Sequence, residues 1–446
     1  MANDVIVAKF GGTSVADAGQ IEKVRKIIES DARRKIIVVS APGKRFPKDQ
    51  KITDLLLLCH QHIEQGIPFD DVFHLITRRY SEIIEVLGIQ KIVFEDLLTE
   101  IKMLAPQQTR PDFLASRGEQ LLAFLLAMYL GYKYIDAGEI IFFNERGKLN
   151  LEKSKDAIRE KLSACENAVI PGFYGTAYDG SIKIFPRGGS DITGSIVALG
   201  ADAILYENWT DVPGFLMADP EIVESPKPIR KISYRELREL SYMGAEVFHN
   251  EAIFPARVGK IPIHIKNTNS PNDEGTIITP DEKDWKGSCV ISGIAGRKDF
   301  TVIAMEKDLM NQEKGFGRKL LSIIEAHNVS YEHTPSGMDS ISLIIANSEL
   351  EDTQETKNKL EKILSEIREK CAPDSLEVYP LAQIATVGRG MAHTPGIAAK
   401  LFSALAEDGV NVRVINQGSS EINIIVGVEI ADFEKAIRAI YRAFCS

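Results

Sequence analysis

An apolar run, Val5-Ile6-Val7-Ala8-Lys9-Phe10, carries one lysine near its end, and Gly11-Gly12-Thr13-Ser14 follows before a helical pattern from Val15 to Ile28. The lysine brings a full positive charge. Glycine permits positive φ and close approach of the backbone to a ligand. The unpaired N–H groups at a helix start point outward and favour anions. The stretch therefore reads as a phosphate-handling turn, although an ordinary strand-turn-helix with a surface lysine has the same pattern. Four further stretches carry polar or charged groups where a strand or loop hands over to a helix. They are Ser40-Ala41-Pro42 with Thr53-Asp54, Ser116-Arg117-Gly118-Glu119 just before a long apolar helix, Arg187-Gly188-Gly189-Ser190-Asp191 before a helix from Ile192 to Leu199, and Trp209-Thr210-Asp211-Val212 running on to Asp219-Pro220. In a doubly wound sheet such positions converge on one crevice at the carboxyl ends of the strands. Taken singly, Glu119 and Asp191 also fit first-turn helix acids, Arg187 a surface ion pair, and Thr210-Asp211 a simple turn.

The elements that must position these residues alternate in type. Apolar runs at Val5–Phe10, Lys35–Ala41, Lys133–Ile141, Ala168–Gly175, Ala203–Asp211 and Ile261–Asn267 are separated by helical patterns. Short Val- and Ile-rich runs fit strands buried on both faces, and helices between them imply right-handed crossovers and a mostly parallel sheet. Residues 61–105 show only helical spacing and read as a helical insertion beside the sheet. Lys266 to Lys286 is rich in turn formers and reads as a linker or a pair of turns.

After it the rhythm changes. Strands at Thr301–Glu306, Val329–Thr334, Ser340–Ala346 and Leu376–Pro380, with helices at Lys314–His327 and Glu351–Lys370, spell a ferredoxin-like βαββαβ unit. A second copy follows, with strands at Gln383–Gly388, Asn411–Asn416 and Glu421–Val428 and helices at Pro395–Glu407 and Asp432–Phe444. This copy lacks its closing strand. A spare strand, Val290–Gly296, precedes the first copy, and we expect it to complete the second, so that the two units interleave.

The 446 residues are too many for one core. A net charge of -10 without a basic run argues against nucleic acid or an anionic membrane as the main partner. The longest apolar stretch, Leu121–Leu130, falls short of the roughly 20 residues of a bilayer span. The chain enters a strand directly, without a charged and apolar leader, which points to a cytoplasmic protein. Its five cysteines are scattered and form no C-x-x-C pair, so reduced structural thiols are expected rather than disulfides or a zinc site.

Taken together, KFGGTS, SRGE, RGGSD, WTDVPG and the tandem βαββα copies resemble the aspartate kinases over nearly the whole chain. The resemblance implies a three-layer αβα amino-acid-kinase domain over residues 1–286, followed by two ACT domains at 297–380 and 381–446, the second completed by strand 289–296. It implies transfer of the ATP γ-phosphoryl group to the side-chain carboxylate of L-aspartate, the entry to lysine, threonine and methionine synthesis. A carboxylate nucleophile has a reference pKa of about 3.9, so no general base is needed. The work becomes positioning and neutralising two anions. By the resemblance, Lys9 bridges the carboxylate and the γ-phosphate, Gly11 and Gly12 offer backbone N–H groups, and Asp191 holds Lys9. Arg187, with Gly188, Gly189 and Ser190, grips the substrate α-carboxylate, Glu119 takes the α-ammonium, and Ser40 and Thr53 add hydrogen bonds. ATP would lie against Lys9, Gly12, Thr210, Asp211, Leu216, Asp219, Glu221 and Glu246, with Mg2+ bound through its phosphates and no protein metal site.

On that nucleotide side the chain departs from the family. Leu216 stands for a tyrosine, Glu221 for an arginine and Glu246 for a lysine. At an effective dielectric of about 20, one unit-charge contact at 4 Å is on the order of 4 kcal/mol. Lys227, Arg230 and Lys231 are expected to supply the missing charge; extra Mg2+, weak nucleotide binding or a non-catalytic amino-acid sensor are the alternatives, and another amino-acid kinase is a further reading. In the regulatory half, the turn Met310–Gly317 and its glycines Gly315 and Gly317 imply an effector site. Met310, Gln312, Phe316, Ser330, Tyr331, Glu332 and Ser336 complete it by resemblance. Glu332 would take an ammonium, which fits lysine better than threonine. A homodimer or homotetramer through the ACT domains is expected.

Overall fold

The computed structural model describes residues 4–186, 188–245, 250–280, 290–351, 358–392 and 394–445. The chain divides into two compact units. The first comprises residues 1–215, 228–237 and 246–283, and the second comprises 216–227, 238–245 and 284–446. This differs from a single cut near residue 286, because two short segments of the first half belong with the second unit.

Among the described residues the first unit holds ten strands: β1 (Ile6–Phe10), β2 (Arg34–Val39), β3 (Lys133–Tyr134), β4 (Ala168–Pro171), β5 (Tyr174–Thr176), β6 (Ile182–Ile184), β7 (Leu205–Thr210), β8 (Lys231–Ser233), β9 (Ile263–Asn267) and β10 (Thr276–Thr279). Eight of them form one sheet in the order β3-β4-β2-β1-β7-β9-β10-β8. All neighbours are parallel except β9 and β10. The fold is α/β, as the alternation of runs and helices predicts. β1 sits at the centre with every residue buried, which is why its sequence is apolar apart from Lys9. β5 and β6 form a separate hairpin.

Three expectations need correction here. The run Lys133–Ile141 is a strand only at Lys133–Tyr134. Asp136 then caps a 3-10 turn at Ala137–Glu139 by accepting from the Gly138 N–H, an Asx-type bond that competes with strand pairing. The stretch after Lys266 is not merely a linker, since Thr276–Thr279 pairs with both β9 and β8. Finally, Ser116-Arg117-Gly118-Glu119 lies inside the helix Asp112–Leu130, not before it. That helix is long and apolar enough to cross a membrane by length and composition. Within this unit it is a core helix, with Leu114, Leu121, Leu122 and Leu125 fully buried. Helices Ile52–Glu64, Asp70–Leu87 and Ile92–Leu104 pack into the same apolar cluster through Leu56, Ile76, Tyr80 and Phe94.

The second unit contains one five-stranded sheet built on two long strands, β11 (Gly293–Glu306) and β13 (Ser375–Val387), with β12 (Ser340–Ala346), β14 (Val412–Asn416) and β15 (Asn423–Val428) in the order β12-β11-β13-β15-β14. β11 is bent by an irregularity between Arg297 and Phe300. Its first part, Gly293–Arg297, pairs with Gln383–Val387, and its second part, Phe300–Glu306, pairs with Ser375–Leu381. The second ferredoxin-like copy therefore takes its missing strand from the chain that precedes the first copy, and the copies interleave. Residues 329–334 do not form the expected strand. They make isolated bridges at His333 and, beyond Pro335, at Ser336. Proline has no N–H to donate and interrupts an edge ladder.

Candidate active site

The carboxyl ends of β1, β2, β4 and β7 bring most of the chemistry-bearing residues into one place. Lys9 is 6% exposed. Its ammonium forms an ion pair with Asp191 and donates to Asn208 Oδ1 at 3.4 Å. Asn208 Nδ2 donates to Asp191 Oδ1 at 2.9 Å, closing a triangle. Asp191 lies in the first turn of the helix Gly189–Gly200, where the helix dipole favours a negative charge. A buried ammonium without such partners would be strongly destabilising. An ammonium has three donors; two are engaged here, and the third has no acceptor among the described residues. A Cβ added at Gly11 would stand 3.6 Å from Lys9 Nζ, so the ammonium rests directly against the glycine turn.

Asn208 is the residue that sequence reasoning missed. It faces Lys9 in the β1–β7 register, a pairing between residues some 200 apart in the chain that no local pattern announces.

The glycine turn is fixed by backbone contact. The Gly11 N–H is donated to Trp209 O at 2.9 Å, so Gly11 does not offer its amide to a phosphate. This corrects the expectation, because that amide continues the β1–β7 pairing past the strand end. Gly12 keeps its N–H without an acceptor among the described residues, and its carbonyl accepts from Gly43 N at 2.8 Å. A Cβ on Gly43 would lie 2.7 Å from Gly12 C, so only glycine permits this approach.

On the far side, a Cβ on Gly12 would meet Ala41 O at 3.0 Å, and one on Gly118 would meet the Ala41 side chain at 2.7 Å. Ser40 and Ala41 thus stand between the turn and the helix that carries Glu119. Thr53 is half-buried one residue into Ile52–Glu64. Glu119 is 5% exposed, and its Oε2 has no hydrogen-bond partner. Burial pushes its carboxyl up to about 8, against the opposing pull of the Ala41 N–H. A buried, unsatisfied carboxyl oxygen beside the site is a place for a cationic or donor group. Across the crevice, Gly188 caps Gly189–Gly200 at φ 59. A Cβ on Gly172, just after β4, would meet the Ser190 side chain at 2.7 Å. Arg187 lies outside the described residues.

The nucleotide-side expectations fare differently. Thr210 ends β7, half-buried, with its hydroxyl 3.2 Å from the exposed Asp211 carboxylate. Leu216, Asp219 and Glu221 belong to the second unit, where Asp219 Oδ1 accepts the Glu221 N–H at 2.9 Å. Glu246 lies outside the described residues. Each of the three replacement cations has a partner of its own. Lys227 is part of the second unit and donates its ammonium to Cys445 O, at the end of the helix Phe433–Cys445. Arg230 is part of the first unit and pairs with Glu274 at 3.0 Å. Lys227 thus stands at a helix carboxyl end and Arg230 in an exposed ion pair, each with a partner in its own unit. Lys231 is an exposed residue of β8 with a partner of its own.

Comparison with known proteins decides the family. The profile of the amino acid kinase family matches residues 4–267, and that of the ACT domain matches 384–444. Aspartokinase 3 of Bacillus subtilis is 39% identical over 98% of both chains. The chain belongs to the aspartokinases. Among solved structures, the aspartate kinase of Clostridium acetobutylicum is 56% identical, with a TM-score of 0.91 over 99% of this chain and 100% of that one. Aspartokinase III of Escherichia coli is 25% identical; its complex with aspartate and ADP superposes with a TM-score of 0.77, over 99% of this chain and 100% of that one. Its complex with lysine and aspartate gives 0.73.

In this aspartokinase the regulatory turn is only partly as expected. Met310 and Phe316 point into the apolar core of the first copy, so their side chains are not ligand-facing. Gly315, at φ 85, and Gly317 have open space where a side chain would be. Gln312 and Tyr331 are exposed. Ser330 N–H donates to Glu349 Oε2 at 2.9 Å, beside a cavity of about 850 Å³ that Arg318, Ser322, Glu325 and Tyr331 also line. Ser336 bridges to Ile341. The Glu332 carboxylate accepts the hydroxyl of Tyr242.

Proposed function

We propose that this aspartokinase transfers the γ-phosphoryl group of ATP to the side-chain carboxylate of L-aspartate, giving 4-phospho-L-aspartate and ADP. A carboxylate oxygen forms the new bond to γ-phosphorus as the bond to the bridging oxygen breaks, and that oxygen leaves with ADP. No proton is moved in this step. The observation that carries the reading is the buried Lys9 ammonium, locked by Asp191 and Asn208, with one donor left over beside the glycine turn at Gly11. Such a group is organised before either anion arrives, so it neutralises charge without reorganisation. Glu119 receives the α-ammonium, and Ser40, Thr53 and Ser190 line the same crevice. Mg2+ supplied with ATP would neutralise the polyphosphate; among the described residues no three His, Cys, Asp or Glu side chains gather to hold a metal.

The reaction places the chain at the first step of lysine, threonine and methionine synthesis, with lysine as effector. Glu332, whose carboxylate accepts a tyrosine hydroxyl, suits an added ammonium, and a relative 26% identical over 98% of this chain is the lysine-sensitive aspartokinase 3 of E. coli. Assembly through the second unit is supported by the Ser375–Pro380 part of β13, which pairs only with β11 among the described residues. Coupled detection of ADP formation with ATP, Mg2+ and aspartate tests the reaction, and added lysine tests the effector. Turnover that needs no aspartate, or inhibition by threonine with no lysine effect, would overturn the respective assignment.

A further inference from the structure

Arg79 lies in the helical insertion, on Asp70–Leu87, three residues after Ile76 and four before Ile83, so a charge stands at the border of the helix's apolar face. It is 6% exposed. One guanidinium nitrogen donates to both oxygens of Asp49 at 2.8 Å and to Gln50 O at 3.4 Å. The other donates to Gly43 O at 3.3 Å and to Ala16 O at 3.5 Å. A single side chain thus ties the turn after β1, at Ala16, to the loop after β2, at Gly43, Asp49 and Gln50. Those are the two segments whose backbones meet at Gly12 and Gly43. The loop needs an anchor: Lys44, Arg45, Lys48 and Lys51 crowd positive charge into it, and Asp49 is its one acid between residues 44 and 51. Burial disfavours the Asp49 carboxylate, but Arg45 and Arg79 hold it far below the usual carboxylate range. The loop is held by Arg79 at Gly43, Asp49 and Gln50, with a further ion pair from Arg45 to Glu82 at 3.2 Å.

We propose that Arg79 is a positioning residue for phosphoryl transfer: through Asp49 and the Gly43 carbonyl it holds the Ala41–Lys51 loop against the glycine turn, setting where the Gly12 amide and the Ser40 and Thr53 hydroxyls stand. Arg79 itself touches no substrate. A misplacement of about 1 Å at a reacting centre costs on the order of a hundredfold in rate. A lysine at this position reaches one acceptor group but cannot grip a carboxylate and three carbonyls at once.

The proposal rests on the kinase reading, and the experiment separates the two. Wild type, Arg79→Gln, Arg79→Lys, Asp49→Asn and the double Arg79→Gln/Asp49→Asn variant are assayed for kcat and for KM of aspartate and ATP, with thermal melting alongside. Asp49→Asn spares the helical core should the arginine variants fold poorly. Expected is a roughly tenfold to hundredfold fall in kcat for Asp49→Asn and Arg79→Gln, larger than the change in either KM. Arg79→Lys should recover part of it, and the double variant should be no slower than the slower single one. Low, non-denaturing guanidinium should restore turnover to Arg79→Gln without raising its melting temperature. Wild-type kcat in folded Asp49→Asn, or losses that multiply in the double variant or merely follow the folded fraction, would overturn the proposal. An inactive wild type would instead sink the kinase reading.

Discussion

Glu119 makes aspartate binding depend on pH in a predictable direction. Burial raises its carboxyl from 4.5 to about 8. At that value roughly a hundredth of the group is ionised at pH 6, a tenth at pH 7 and half at pH 8. If the substrate ammonium binds the ionised form, each molecule of aspartate bound at neutral pH expels one proton. The KM for aspartate then falls roughly tenfold between pH 6 and 7 and roughly fivefold more between pH 7 and 8. The free protein shows the opposite trend. Between 4.5 and about 8 the folded chain holds a proton that the unfolded chain has released, so its stability drops as pH rises through that window. Bound aspartate should protect most strongly at the alkaline end. Steady-state KM from pH 6 to 8, with melting curves with and without aspartate, measures both. Glu119→Gln should bind aspartate weakly and without this slope. A wild-type KM that is flat across the range, or a glutamine variant with the same slope, would refute the reasoning.

Other perturbations follow from contacts in the two units. Gly43→Ala forces a Cβ onto the Gly12 backbone and should cost about 1–3 kcal/mol of stability by urea denaturation, with kcat falling further than KM changes. Asn208→Leu removes a hydrogen bond from both Lys9 and Asp191; a stability loss of about 1–3 kcal/mol and a clear fall in kcat are expected in the same two assays. Tyr242→Phe frees the Glu332 carboxylate from the tyrosine hydroxyl, and lysine should then inhibit at a concentration roughly tenfold lower, the worth of one hydrogen bond to a charged group.

Much of this architecture is legible in the chain because local pattern and burial agree. β1 is apolar where it is buried on both faces, and the lysine that interrupts it is the one residue with a charge partner there. Asp191 and the glycines around it are readable for the same reason, since a helix start and a close backbone approach restrict residue choice locally. What the pattern hides is set by distant pairing. Asn208 is one polar residue in an apolar run until β7 is laid beside β1. Arg79 stands at the border of its helix's apolar face, but its acceptors are hidden until the Asp49 loop is folded onto it. The Gly11 amide looks free until Trp209 O claims it, and Lys227 looks available until the last helix presents Cys445 O. Short edge strands such as Lys231–Ser233 carry too few residues to show a period. In residues 329–334 an apolar-polar alternation is overruled by the proline that follows.

The central claim is that the Lys9 ammonium lets two anions react. Single-turnover transfer from ATP to aspartate by Lys9→Ala, with both substrates saturating and their binding measured separately, tests it most directly. The account predicts that transfer falls by roughly a thousandfold or more, the scale of losing one preorganised charge, while aspartate still binds at Glu119. A transfer rate within tenfold of wild type would contradict it.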